Sequence, residues 1–292
     1  MILLTGATGN VGSAVLRRLV ASGERVRCLV RDPRRLGAER VRVQIALGDL
    51  SDPSSFRNAL RGVETVVHLA AAIRDQPRAS IEELNSVATL RLVHAAERAR
   101  AERFVFFSAM GASLHERSRF FRAKALAERA VAESPLASIT FAPSIVYSPG
   151  DPWMGLLRRM SWLPALPVSG SGRAVYQPIW AEDAADCVVA ALGRPAEGHR
   201  RFELAGPERL SYDGIARIAL RSFGRSRRLL HLPLPVVRAG LRAVELTARH
   251  KAFATWEEAE LMEIPMTTDR GTADAESLGV TPLRMAAVLG AA

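Results

Sequence analysis

Three glycines stand at G-x-x-G-x-x-G spacing in the stretch Thr5-Gly6-Ala7-Thr8-Gly9-Asn10-Val11-Gly12. That spacing suits a turn whose backbone must come close to a pyrophosphate. The first glycine permits the tight turn, the second keeps a side chain away from the phosphates, and the third lets a helix pack closely on a strand. A helix opening here would also present unpaired N–H groups and a positive dipole end to the anion. The chemistry is dinucleotide binding, with Gly6, Thr8, Gly9, Asn10, Val11 and Gly12 as the cradle. A purely structural turn is the plain alternative. The apolar run before the glycines and the amphipathic stretch after them weigh against it.

The next apolar run ends in Val30-Arg31-Asp32. An acidic residue at that place accepts hydrogen bonds from the adenosine ribose when NAD is bound, whereas a guanidinium suits the 2′-phosphate of NADP. Arg31 comes first, so the sequence favours NADP, with NAD open through Asp32. Gly48-Asp49-Leu50 follows a third run, where Asp49 can accept from the adenine amino group or cap a helix near Pro53. Leu69-Ala70-Ala71 closes a fourth, its small residues leaving room for the cofactor, and the preceding His68 reads as a satisfied core histidine. Of the 40 basic residues only Lys124 and Lys251 are lysines. Lys124 either carries a function or pairs with Glu128 one helical turn away.

These residues need a frame. Apolar runs over 2–5, 26–30, 41–46, 65–69, 104–108 and 138–142 read as strands, and the stretches 11–22, 53–61, 80–100 and 118–133 read as helices. Their alternation predicts an α/β fold, a doubly wound parallel sheet of Rossmann type covered on both faces. A helix over 181–192 and a strand over 201–204 continue it. The expected division is a nucleotide-binding domain from 1–146 and 179–206, and a smaller lobe built from the discontinuous segments 147–178 and 207–292, rich in proline, glycine and tryptophan.

The motifs TGATGNVG (5–12), GDL (48–50), HLAA (68–71), FFSAMGA (106–112), FRAKALAE (121–128) and PSIVYSPGD (143–151) resemble the extended and atypical branches of the short-chain dehydrogenase/reductase superfamily. Within them the sequence is most similar to NAD(P)-binding relatives of the complex I accessory subunit and to NmrA-like reductases. The likeness covers about residues 1–210. It implies that Lys124 binds the nicotinamide ribose, that Ser108 faces the substrate, and that Pro143 and Ile145 line the nicotinamide. Ordinary members carry a tyrosine four residues before this lysine as proton donor. Phe120 stands there, and Tyr147 is a candidate substitute. The catalytic set implied is therefore Lys124 and Ser108 without the tyrosine, with no metal.

A hydride acceptor that is apolar or quinone-like needs positioning more than a dedicated acid, so the expected activity is an NADPH-dependent reductase. A non-catalytic NADP-binding sensor or accessory protein is the second reading, and an epimerase or dehydratase the third. The formal charge of +10 reads as diffuse, with no dense basic block and no interleaved aromatics, which disfavours nucleic acid. Arg225–Arg242 leaves a peripheral membrane or protein contact open, and the apolar loop of Trp153, Met154, Leu156, Leu157 and Trp162 is either a lid or packing. No apolar run is long enough to span a bilayer, and the start lacks the form of a signal peptide. With Cys28 and Cys187 far apart, a cytoplasmic protein is expected, as monomer or homodimer.

Overall fold

Ile2–Thr5 forms β1, a strand buried along its whole length, and it takes the middle of the sheet accordingly. The computed structural model describes residues 1–77, 79–248 and 255–290, so Lys251 lies outside the described residues. From β1 the chain runs through α1 (Asn10–Ala21), β2 (Val26–Val30), β3 (Gln44–Leu47), α2 (Pro53–Phe56), β4 (Thr65–His68), α3 (Ala88–Arg98), β5 (Arg103–Phe107), α4 (Arg119–Ala132) and β6 (Ala137–Pro143). Short strands β7 (Val146–Tyr147), β8 (Ala165–Ser169), β9 (Val175–Tyr176) and β10 (Ile179–Trp180) follow, with α5 (Pro152–Met160) between the first two. Then α6 (Ala181–Leu192) and β11 (His199–Leu204) return to the main sheet.

That sheet has seven parallel strands in the order β11-β6-β5-β4-β1-β2-β3. The strand order reverses between β1 and β4, the place where doubly wound sheets bind ligands at the carboxyl ends of their strands. Thr5 pairs in register with His68, and His68 with Phe106, so the turns at Gly6, Leu69 and Phe107–Ser108 emerge side by side. Both faces are covered. Val11, Val15, Leu16 and Leu19 of α1 pack with Ala184, Ala185 and Val188 of α6 on one face, and Leu92, Val93 and Ala96 of α3 pack with Val131 of α4 on the other. Arg18 reinforces the α1–α6 pair, donating to Asp186 at 2.5 Å and to Glu182 at 2.5 Å.

The remaining elements are β12 (Leu210–Ser211), α7 (Tyr212–Ser222), β13 (Arg228–Leu232), α8 (Leu234–Ala248), α9 (Trp256–Leu261), α10 (Ala273–Ser277) and α11 (Met285–Leu289). Of these, β12, α7, β13, α9 and α11 join residues of 147–178 in a separate apolar cluster around Tyr147, Met154, Leu157, Tyr176, Ile215 and Met285, seated against Phe120 and Phe121 of α4. Met154 and Leu157 are therefore packing, while Trp162 stays 74% exposed. The stretch around α10 behaves differently from the rest of the tail. Ala275 and Leu278 join the cluster beneath the main sheet, and the Asp274 carboxylate accepts the Glu203 amide of β11 at 2.7 Å.

Four elements depart from their sequence reading. The apolar loop holding Trp153, Met154, Leu156 and Leu157 is the helix α5, started by Asp151, whose carboxylate accepts the Met154 amide at 2.7 Å. The helix expected over 53–61 is α-helical only to Phe56 and tightens into a 3-10 turn over Arg57–Leu60. The strand expected over 41–46 begins only at Gln44, because 33–41 coils into tight turns started by Asp32 and Pro33. The helix expected over 80–100 opens with a wide π turn at Glu83–Val87 before α3. Such single-turn distortions are common beside functional sites.

Candidate functional site

The glycine turn has the shape its spacing requires. Gly6 holds φ +74°, and a Cβ there would lie 2.5 Å from the Ala70 nitrogen. At Gly12 a Cβ would meet the Gly6 carbonyl oxygen at 2.0 Å, so strand and helix touch backbone to backbone. Gly9 donates to the Gly6 carbonyl at 2.9 Å and sits at the start of α1 without a capping side chain. The first-turn N–H groups of α1 are thus left for an anion. Thr8, Gly9 and Asn10 are accessible, whereas Val11 and Gly12 are buried and shape the cradle from behind. Across the switch point Leu69 donates to the Thr5 carbonyl at 3.2 Å, which sets Ala70 and Ala71 beside the turn.

Beyond the ends of β2 and β3 lies a groove of about 260 Å³ lined by Arg31, Asp49, Ser51, Gln76 and Ala79 among others. Arg31 is exposed and forms no ion pair among the described residues. Asp32 is committed elsewhere. Its carboxylate accepts the Arg34 amide at 3.0 Å and the Arg34 guanidinium at 2.9 and 3.0 Å, and this pairing holds its pKa below the usual carboxylate value. Asp49 accepts the amide and hydroxyl of Ser51 at 3.0 and 2.9 Å through one oxygen. It is not the helix cap: Asp52 accepts the Ser54 amide at 3.0 Å and starts α2. Leu50 is half-buried against the core between sheet and α3.

At the other end, Lys124 is 1% exposed and donates to the Phe107 carbonyl at 2.7 Å. Its Nζ lies 4.8 Å from the Phe106 ring centre and 5.8 Å from that of Phe120. Burial pushes its pKa down to about 7, against a smaller opposing effect of Glu128. The pairing with Glu128 open from sequence does not form: Glu128 engages Arg201 of β11 at 3.2 Å. One hydrogen bond uses one of three ammonium donors, so two remain for a ligand. Ser108, next to the carbonyl that holds Lys124, is 4% exposed and its hydroxyl has no partner among the described residues. The Tyr147 hydroxyl is likewise unpartnered, and burial raises its pKa, making it a reluctant acid. Pro143 and Ile145 fix the adjoining strip, their carbonyls accepting from Met110 at 2.7 Å and from Ile179 at 3.0 Å.

Sequence reasoning missed the residues that hold this cleft in shape. The amide of Asn85, 1% exposed, donates to the carbonyls of Ala72 and Ile81 at 2.7 and 2.8 Å, and its oxygen accepts the Ala72 amide at 3.2 Å. It fastens the loop after β4 to the π turn. The available signal was weak, an asparagine on the same helical face as Ile81 and Leu92 in a stretch of mixed polarity. Arg119, at the start of α4, clasps Glu82 at 2.7 and 2.6 Å and Asp75 at 3.0 and 3.1 Å. Below them His68 is fully buried, with Nδ1 2.6 Å from the Thr5 hydroxyl and Nε2 3.0 Å from the Thr89 hydroxyl. The Thr89 hydroxyl itself donates to the Asn85 carbonyl at 2.5 Å, so it accepts from the ring. Nε2 therefore carries the proton and Nδ1 accepts from Thr5.

A glycine cradle, a groove beyond β2 and a buried lysine with spare donors fit a dinucleotide laid across the switch point. Residues 6–150 match the family described as NAD(P)H-binding. The (4-alkanoyl-5-oxo-2,5-dihydrofuran-3-yl)methyl phosphate reductase of Streptomyces griseus is 30% identical over 256 residues, covering 83% of this chain and 81% of that protein. The chain belongs to the NAD(P)H-binding family of the short-chain dehydrogenase/reductase superfamily. The ceramide reductase of Caulobacter vibrioides is 28% identical over 273 residues, 91% of this chain and 86% of its own length. Among solved structures, a nucleoside-diphosphate-sugar epimerase from Staphylococcus aureus superposes with a TM-score of 0.77 at 20% identity, covering 99% of each chain. That likeness is one of fold.

Proposed function

We propose that the protein is an NADPH-dependent reductase that delivers hydride to an apolar or quinone-like acceptor. The observation that carries this reading is the corner where Lys124 bonds the Phe107 carbonyl, one residue before Ser108. A buried ammonium with two unused donors is fastened to the residue that precedes a buried hydroxyl with none of its capacity used. An unsatisfied buried hydroxyl is costly in the folded protein and is relieved when a ligand oxygen arrives. Lys124 holds the nicotinamide ribose, Ser108 donates to the acceptor oxygen, and the strip at Pro143 and Ile145 excludes water from one side. NADPH, when bound, supplies the hydride, and the reduced acceptor takes its proton from solvent. The relatives named as reductases support this direction of chemistry.

Phe120 gives the reading its particular form. It occupies the position of the usual tyrosine, one turn before Lys124, and has no proton to exchange. Oxidation of a sugar hydroxyl needs a base there, which places an epimerase third. The same residue favours the second reading, an NADP-binding sensor without turnover. The free, buried thiols of Cys28 and Cys187 support a cytoplasmic setting. Titration with NADPH and NADH, followed by cofactor oxidation across a quinone panel, tests the proposal. Steady oxidation is expected, and tight binding without turnover across the panel would favour the sensor. Phe120→Tyr is expected to create dehydrogenase activity on small ketones or alcohols, read as NADP reduction or NADPH oxidation above wild type.

NADP rather than NAD rests on Arg31, exposed in the groove, while Asp32 is taken up by Arg34 and by the turn it starts. Arg31→Asp is expected to lower the NADPH/NADH affinity ratio by at least about tenfold, the loss of a charge-assisted contact to a 2′-phosphate. An unaltered ratio would mean that the phosphate is read elsewhere.

A further inference from the structure

Two stretches distant in sequence carry the whole positive excess of this chain. Residues 152–181 and 214–244 contain ten arginines and no aspartate or glutamate, and the rest of the chain is balanced at thirty basic and thirty acidic residues. Arginines spaced along the sequence read as diffuse charge. The fold brings part of each stretch together, because β8 and β13 pair in parallel from Ala165↔Arg228 to Ser169↔Leu232.

Where the two stretches meet, the turn after α5 projects Trp162 at 74% and Leu163 at 47% exposure. An exposed indole is unusual, since so large an apolar surface is ordinarily covered. This one is braced rather than loose. The Arg225 guanidinium lies 3.4 Å from the Trp162 ring centre and donates to the Ser161 hydroxyl at 2.8 Å. Arg227 donates to the Ser161 and Leu163 carbonyls at 3.1 and 3.0 Å. Around the turn Arg158, Arg159 and Arg228 are exposed. Leu230, two residues beyond Arg228 and on the same strand face, is 52% exposed, and Val236 at the start of α8 is 58% exposed.

We propose that this arginine-flanked edge docks the protein onto an anionic lipid bilayer, with Trp162 and Leu163 entering the interfacial layer. Guanidinium groups pair with lipid phosphates, and an indole settles at headgroup depth with its ring in the apolar zone. A nucleic acid would match the charge but would leave Leu163, Leu230 and Val236 in water. Contact is peripheral, as none of the described helices is long and apolar enough to cross a membrane. The docking stands independently of the reductase reading; combined with it, the acceptor is one dissolved in the bilayer.

Sedimentation of the whole protein with phosphatidylcholine vesicles, with and without phosphatidylglycerol, tests this. Binding to the anionic vesicles is expected to be at least about tenfold tighter and to weaken as salt rises from about 0.1 M to about 1 M. Replacing Arg158, Arg159 and Arg228 together by glutamine, or Trp162→Ser alone, should each cut vesicle binding at least about tenfold. NADPH affinity, unchanged in both variants, reports that they fold. Quenching of wild-type tryptophan fluorescence by bromine-labelled lipid reads insertion without any variant. Equal binding to both vesicle types, undiminished binding by folded variants, or tighter binding to a duplex oligonucleotide at the same salt would each overturn the proposal.

Discussion

Replacing Gly9 by aspartate is expected to lower NADPH affinity at least about 100-fold while the protein stays folded. Gly9 adopts φ −83° and ψ 176°, an extended conformation open to any residue, and a Cβ there approaches only the Gly6 carbonyl, at 3.2 Å. The position is also the N-cap of α1, where aspartate is among the preferred residues. The new carboxylate would take the first-turn N–H groups that the pyrophosphate needs and repel the phosphates besides. Gly6→Ala and Gly12→Ala act differently, since their side chains would press on backbone at 2.5 and 2.0 Å and so cost stability. Calorimetric titration beside a melting curve of the cofactor-free protein separates the two effects. Wild-type affinity in folded Gly9→Asp protein would remove the cofactor assignment.

Lys124→Met is expected to weaken NADPH binding at least about tenfold and yet to stabilise the cofactor-free protein near pH 6. The folded-state pKa of Lys124 is pushed down to about 7 by burial, whereas an unfolded lysine titrates near 10.5. Between those values the unfolded chain binds more protons than the folded one, so stability rises with pH across that window. Below it the ammonium is charged in both states and its burial opposes folding in full. Methionine keeps the packing against Phe106 and Phe120 without the charge, at the loss of the bond to the Phe107 carbonyl. A Tm higher by a few degrees at pH 6 and a flatter rise towards pH 10 are the expected readings. Unchanged NADPH affinity would remove the ribose role of Lys124.

The frame was legible because its central strands are buried on both faces. β1, β2 and β4 are short, mainly apolar runs, broken within only by Arg27 of β2, and glycine and proline mark their ends. β3 was harder for the opposite reason. It lies at the sheet edge with Ile45 and Leu47 at 41% and 64% exposure, so its apolar residues do not mark a buried face. The cradle glycines could be read from spacing, since their demand is local. What holds the cleft could not: Asn85 widens its own helix to reach Ala72, thirteen residues back, and Arg119 reaches Asp75 across 44. Glu128 illustrates the same limit. One helical turn offers it Lys124, but a strand that arrives 73 residues later brings Arg201 instead.

The hydrogen-bonded histidine under the switch point bears on how any pH profile of this protein is interpreted. His68 is locked in one tautomer, and burial, helped by the charge of Lys124, pushes its pKa down to about 3. A titration near neutrality in an enzyme is ordinarily credited to a histidine. At this end of the cleft the imidazole is silent throughout the physiological range, and an inflection near pH 7 in cofactor binding or turnover is the signature of an amine.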